Sequence, residues 1–210
     1  MLRLLFSGVS KGFAGRRVID GLTAEAHGGR ITAVTGKNGS GKSTLLKMAA
    51  KLMLPDAGKI LAEDGDEELH QEAYRSRLAM MTPDFRVYPK LTIRENLDFF
   101  LGFRRKQALT DEAYGELLER IGLPLQSVEG KYAEQLSTGM RKRLHFAILL
   151  ASGADIWLLD EPGANLDADG RAMVMCEARR AAASGKLILW ATNDPEEEAC
   201  ADACIALPDH

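Results

Sequence analysis

The sequence predicts an α/β fold, with a strand–helix core built from the two ends of the chain and a helical insert between them. Three observations carry this. Short apolar runs of buried-strand type stand towards both ends, at Ile31–Thr35, Ile156–Leu159 and Leu187–Trp190. Helical patterns follow the first two runs. The middle, from about Asp84 to His145, is mostly helical in pattern. The 210 residues fit one large domain with an inserted subdomain. A chain of that length buries roughly 70% of its unfolded surface without a disulfide or metal staple.

In chain order, Leu2, Leu4 and Phe6 alternate with other side chains and read as a strand, as does Arg17–Leu22. Gly28-Gly29 marks a turn before the buried strand at 31–35, and a helix follows from about Gly41 to Lys51, stopped before Pro55. Thr92-x-x-Glu95 is a capping box, opening a helix with Leu97, Phe100 and Leu101 inside. Ala113, Leu117, Leu118 and Ile121 give another helix, closed by Gly122 and Pro124. A long helix is expected from about Ala168 to Ser184. The last helix has Asp194 as N-cap, Pro195 next and three glutamates in its first turn.

The 27 Lys and Arg against 30 Asp and Glu leave a formal charge of −3 without a basic run, which argues against a nucleic-acid partner. No stretch approaches the roughly 18 apolar residues of a membrane span, and the apolar part of Met1–Ser10 is too short for a signal peptide. The odd cysteine count, Cys176, Cys200 and Cys204, fits a reducing compartment. Cys200 and Cys204 would share a face if their segment is helical. Zinc would need two more ligands, for which Asp202 and His210 are poor candidates, so the pair reads as two buried small residues.

Residues 36–43, GKNGSGKS, fit the phosphate-loop pattern G-x-x-x-x-G-K-[ST] in full, after a predicted strand and opening a helix. Glycines at 36, 39 and 41 let the backbone form a nest of N–H groups aimed at phosphate oxygens, and the helix start adds a favourable dipole. Lys42 is placed as the cation on the β- and γ-phosphates and Ser43 as a Mg²⁺ ligand. Asn38, Ser40 and Thr44 complete the expected nucleotide-binding set. Downstream, the apolar strand at 156–159 ends in Asp160 and Glu161, at the sheet edge where ligands gather. Asp160 suits Mg²⁺ and Glu161 suits accepting a proton from the attacking water.

With these motifs the chain resembles the nucleotide-binding subunits of ATP-binding-cassette (ABC) transporters. The discriminating element is residues 136–141, LSTGMR, similar to the family signature Leu-Ser-Gly-Gly-Gln and opening an apolar helix through Leu144, Ile148 and Leu150. Ser137 and Gly139 sit at a helix start whose free N–H groups make a second anion site. The resemblance implies that this site meets the γ-phosphate of ATP held by a partner subunit. Asn165-Leu166-Asp167 resembles the family's D-loop. Phe13 lies where the family stacks an aromatic on adenine, a core phenylalanine being the alternative, and Thr92–Phe100 resembles a stretch near the membrane partners.

The resemblance covers nearly the whole chain. It implies a P-loop NTPase core, with a mainly parallel central sheet, flanking helices and an antiparallel β subdomain, over 1–83 and 153–210. A helical subdomain carrying the signature is implied over 84–152. It also implies ATP and Mg²⁺, a homodimer or a heterodimer with a second cassette, and membrane-spanning permease subunits on separate chains. The expected location is cytoplasmic, held at the inner face of the membrane through those partners.

Two residues depart from the family pattern. Asp84 stands where the Q-loop glutamine is expected and remains a candidate metal ligand. Asn193 stands for the switch histidine: it can donate a hydrogen bond to a γ-phosphate but cannot carry a proton. The expectation is an ATPase slowed by these two changes. A nucleotide-clamped regulatory module with very low turnover is the alternative, and a small P-loop kinase is a third reading, against which stand Asp160-Glu161 and Ser137. The short cassette resembles those of small bacterial exporters, including the haem-export component of cytochrome c maturation. Arg141-Lys142-Arg143 reads as a solvated helix face.

Overall fold

The computed structural model describes residues 1–104 and 107–208, which leaves His210 outside the described residues. These divide into two compact units, one of 1–82, 155–162 and 177–208, the other of 83–104, 107–154 and 163–176.

The first unit holds two sheets. Strands β1 (Leu2–Phe13), β2 (Arg16–His27), β4 (Ala57–Asp64) and β5 (Glu67–Glu68) form an antiparallel sheet in the order β2-β1-β4-β5. Strands β3 (Arg30–Thr35), β6 (Leu78–Met81), β7 (Ile156–Asp160), β8 (Leu187–Ala191) and β9 (Ala203–Ala206) form a parallel sheet in the order β6-β7-β8-β3-β9. Every residue of β7 and β8 is buried, as a parallel sheet covered on both faces requires. Helix α1 (Lys42–Ala49) contributes Leu45, Leu46 and Met48 to one core shared with Leu4, Phe6 and Ile19 of the antiparallel sheet and Leu158, Leu187 and Leu189 of the parallel one. Each such side chain stabilises by about 1.5–3 kcal/mol on burial. Helix α2 (Gln71–Arg77) buries Tyr74, whose hydroxyl donates to the Ala49 carbonyl at 2.7 Å.

The second unit is helical: α3 (Ile93–Phe103), α4 (Asp111–Arg120), α5 (Leu125–Val128), a 3₁₀ turn (Ala133–Gln135), α6 (Thr138–Ala151) and the first half of α7 (Ala168–Ala183). The capping box forms: Glu95 N–H donates to Thr92 Oγ1 at 3.2 Å and Thr92 N–H to Glu95 Oε2 at 2.7 Å. Leu97 and Leu101 are buried as expected, while Phe100 and Ala113 are only half-buried. In α6 the inner residues are Leu144 to Ala147 and Leu149. Ile148 and Leu150, expected inside, are only half-buried.

Asp194 caps α8 (Pro195–Ala199), accepting from Glu196 N–H at 2.8 Å. The cysteine expectation fails. The chain turns at Cys200, the C-cap of α8, and enters β9, so Cys200 and Cys204 share no helical face; Cys200 is half-buried and Cys204 exposed. Among the described residues no group of three His, Cys, Asp or Glu side chains could hold a metal ion.

Candidate nucleotide-binding site

Register in the parallel sheet assembles the site. Val34 of β3 and Asp160 of β7 both pair with Ala191 of β8, so three strands end level. The segments leaving them, the glycine loop, Glu161 and the 192–194 switch, therefore meet at one edge.

The loop needs its glycines. Gly36, Gly39 and Gly41 take φ of +143°, +85° and +103°. A Cβ on Gly36 would lie 2.6 Å from Ser40 Oγ, and one on Gly41 would lie 2.7 Å from Val18 Cγ1. Gly41 precedes α1 and offers no side-chain cap, so the first amides of that helix are left for a ligand. Lys42 is buried, its ammonium donating to the carbonyls of Gly36 (2.6 Å) and Lys37 (3.0 Å). Burial pushes its pKa down, against the pull of Glu161 and Asp160. Thr44, in the first turn of α1, is half-buried.

The Ser43 hydroxyl donates to Asp160 Oδ1 at 3.0 Å. Asp160 is buried, and burial pushes its pKa up, with the Ser43 hydrogen bond opposing. Glu161 takes a left-handed backbone, φ +48°, a conformation that costs a non-glycine residue about 1 kcal/mol or more. Its N–H donates to the Ala191 carbonyl at 2.9 Å. The Asn193 amide donates to Glu161 Oε1 at 3.4 Å and to Asn38 Oδ1. An open cleft of about 700 Å³ is lined by the loop at Gly36–Asn38 together with Thr192 and Asn193.

These groups fit a polyphosphate with a hard divalent cation. The donor set of Ser43 and Asp160 is oxygen only, as Mg²⁺ demands. Ser40 Oγ is buried without a hydrogen-bond partner, beside a glycine that a larger side chain could not replace.

Phe13 is 45% exposed at the end of β1, with Lys11 Nζ 5.6 Å from its ring centre, which removes the core-phenylalanine alternative. Asp84 is exposed in the turn after β6 and belongs to the second unit. There Ser137 caps α6, accepting from Met140 N–H at 3.2 Å, and a Cβ on Gly139 would lie 3.6 Å from the Asn165 carbonyl. Arg143 is not solvated. It is 11% exposed, donating to Asp167 at 2.7 Å and to the Ile121 carbonyl at 2.8 Å, and so ties α6 to the segment after Glu161. Sequence reading also missed Thr192 and Glu197, which look like a strand end and a solvated helix start; only their burial together marks them.

A glycine loop, a buried lysine, a serine on an aspartate and a following glutamate at the edge of a parallel sheet define a P-loop nucleotide-binding protein. The family model described as ABC transporter matches residues 19–164, and the chain belongs to that family. It is 36% identical over 200 residues to the cytochrome c biogenesis ATP-binding export protein CcmA of Nitrobacter winogradskyi, covering 92% of this chain and 93% of that one. It is 34% identical over 195 residues to the daunorubicin resistance ATP-binding protein DrrA3 of Streptomyces coeruleorubidus, covering 90% of this chain but only 60% of the relative's length. A solved dimeric cassette in a post-hydrolysis state, bound to ADP and Pi, superposes with a TM-score of 0.82 at 23% identity, over 97% of this chain and 94% of that one; at that identity it speaks to the fold.

Proposed function

We propose that the chain is the ATP-binding and hydrolysing subunit of an ABC transporter, working on membrane-spanning partners carried by separate chains. The observation that carries this is the Ser43–Asp160 contact at 3.0 Å beside Glu161. Ser43 and Asp160 would hold Mg²⁺, which when bound neutralises charge on the β- and γ-phosphates. Lys42 moves from its carbonyl partners to the phosphates, regaining a counter-charge for a desolvated ammonium. Glu161 accepts the proton of the attacking water, and the Asn193 amide orients that carboxylate and the terminal phosphate. Phe13 stacks on adenine, Ser137 and Gly139 engage the nucleotide of a second cassette, and Asp84 is a further cation ligand.

Asn193 is exposed and the cleft beside it open, so the pairing of two cassettes supplies the closed site. The 36% identity over 200 residues to CcmA supports an exporter ATPase of the haem or cytochrome c maturation kind. Partner binding holds the chain at the inner face of the membrane; among the described residues no helix is long and apolar enough to cross one.

A second reading, a clamp that binds nucleotide with negligible turnover, is favoured by Asn193, which cannot carry a proton. Steady-state hydrolysis separates the two. Glu161→Gln is expected to lower turnover by about 10²–10⁴ and Asn193→His to raise it. Unsubstituted turnover no higher than that of Glu161→Gln would sink the hydrolytic reading and leave the clamp.

A further inference from the structure

The switch segment is held from beneath by a carboxylate that the reaction does not consume. Glu197 is 4% exposed. Its Oε2 accepts from the Trp190 indole at 3.0 Å and from the Thr192 hydroxyl. The Thr192 hydroxyl oxygen in turn accepts from Asp194 N–H at 2.9 Å, and Thr192 N–H donates to the Val34 carbonyl at 3.2 Å. One carboxylate oxygen therefore pins residues 190 and 192 and, through Thr192, residue 194. Asn193 is the exposed residue inside that bracket. Burying a carboxylate is costly, and an apolar side chain of similar volume would fill the same space at less cost. Packing alone does not account for it.

We propose that Glu197 is the positioning residue of the switch: by fixing Trp190 and Thr192 through one oxygen, it sets where the Asn193 amide meets the terminal phosphate of a bound nucleoside triphosphate. This rests on the nucleotide-binding role of the site proposed above. Glu197 is buried under the switch, bonded to Trp190 and Thr192, and acts through Asn193.

The test is the ratio of the Kd for MgADP to that for MgATP, which isolates the terminal phosphate, measured by equilibrium titration in a Glu161→Gln background so that turnover plays no part. Asn193→Ala is expected to lower the ratio by about tenfold, the worth of a hydrogen bond to a charged group. Glu197→Ala should lower it as much, and the two together no more than either alone. Glu197→Gln, whose amide oxygen can accept both hydrogen bonds, should restore most of the ratio. Thr192→Val removes the tether at nearly constant volume, so it reports even if Glu197→Ala fails to fold. Multiplying losses in the double variant, or an unchanged ratio in both Glu197→Ala and Thr192→Val, overturn the positioning role. No preference for MgATP in the background protein itself overturns the reading of the site instead, and the role with it.

Discussion

At Ser40 stability and binding pull in opposite directions. Its hydroxyl is buried with no partner, in a loop whose other polar groups are engaged or aimed at a ligand. An unsatisfied buried hydroxyl costs about 1–3 kcal/mol. Ser40→Ala should therefore raise the melting temperature of the nucleotide-free protein and weaken nucleotide binding, since the orphan is lost along with a contact. A thermal-shift assay run with and without MgATP checks both: the nucleotide-free midpoint rises and the nucleotide-induced increment shrinks. Phe13 makes a simpler case. It is exposed, so Phe13→Ala should leave the unliganded midpoint nearly unmoved while weakening nucleotide binding by about 1–3 kcal/mol, read by titration. Both residues were legible as motif positions, but the missing partner of Ser40 and the exposure of Phe13 depend on neighbours distant in sequence.

Among the elements, α3 shows which signals are local. Its capping box can be read from Thr92 and Glu95 alone, because both partners lie within one turn. Asn96, one residue later, cannot be read so: it is fully buried, its Oδ1 accepting from Tyr88 N–H at 2.7 Å and its Nδ2 donating to three carbonyls between 88 and 92. Asn96→Ala would strand the Tyr88 amide and those carbonyls, and is expected to cost about 2–4 kcal/mol by urea denaturation. For the same reason β7 and β8 were evident as continuous apolar runs, whereas β6 and β9, four residues each, depend on the strand beside them. Arg77 joins three elements, donating to Asp64 of β4 at 2.9 Å and to Asp155 before β7 at 2.8 Å. The Arg77 hydrogen bond holds the Asp64 carboxyl below its usual range. A depressed folded value means the contribution is complete above the unfolded aspartate value near pH 4 and is lost as pH falls through the folded one. Denaturation of Asp64→Asn should thus fall short of the unsubstituted protein at pH 7, with the gap closing below about pH 4.

For the whole molecule, the arithmetic of motifs argues for pairing. The chain carries one glycine loop, at 36–43, and one signature, at 136–141. If a working site takes its loop from one copy and its signature from another, then two chains disabled at different motifs must rescue each other. Lys42→Ala removes the phosphate cation and leaves the signature. Gly139→Asp adds a carboxylate at the start of α6, where an anion should sit, and leaves the loop; a Cβ there meets only the Asn165 carbonyl at 3.6 Å, so the fold tolerates it. Each variant alone should be without turnover. Mixed in equal amounts, random association makes half of the dimers mixed, each with one intact site of two, so turnover should return to about a quarter of the unsubstituted value. The expected curve against mixing fraction is a dome with its maximum at equal amounts. Turnover that stays at the sum of the parents across all fractions would mean that no loop takes its signature from a second copy, and the pairing mechanism would fall.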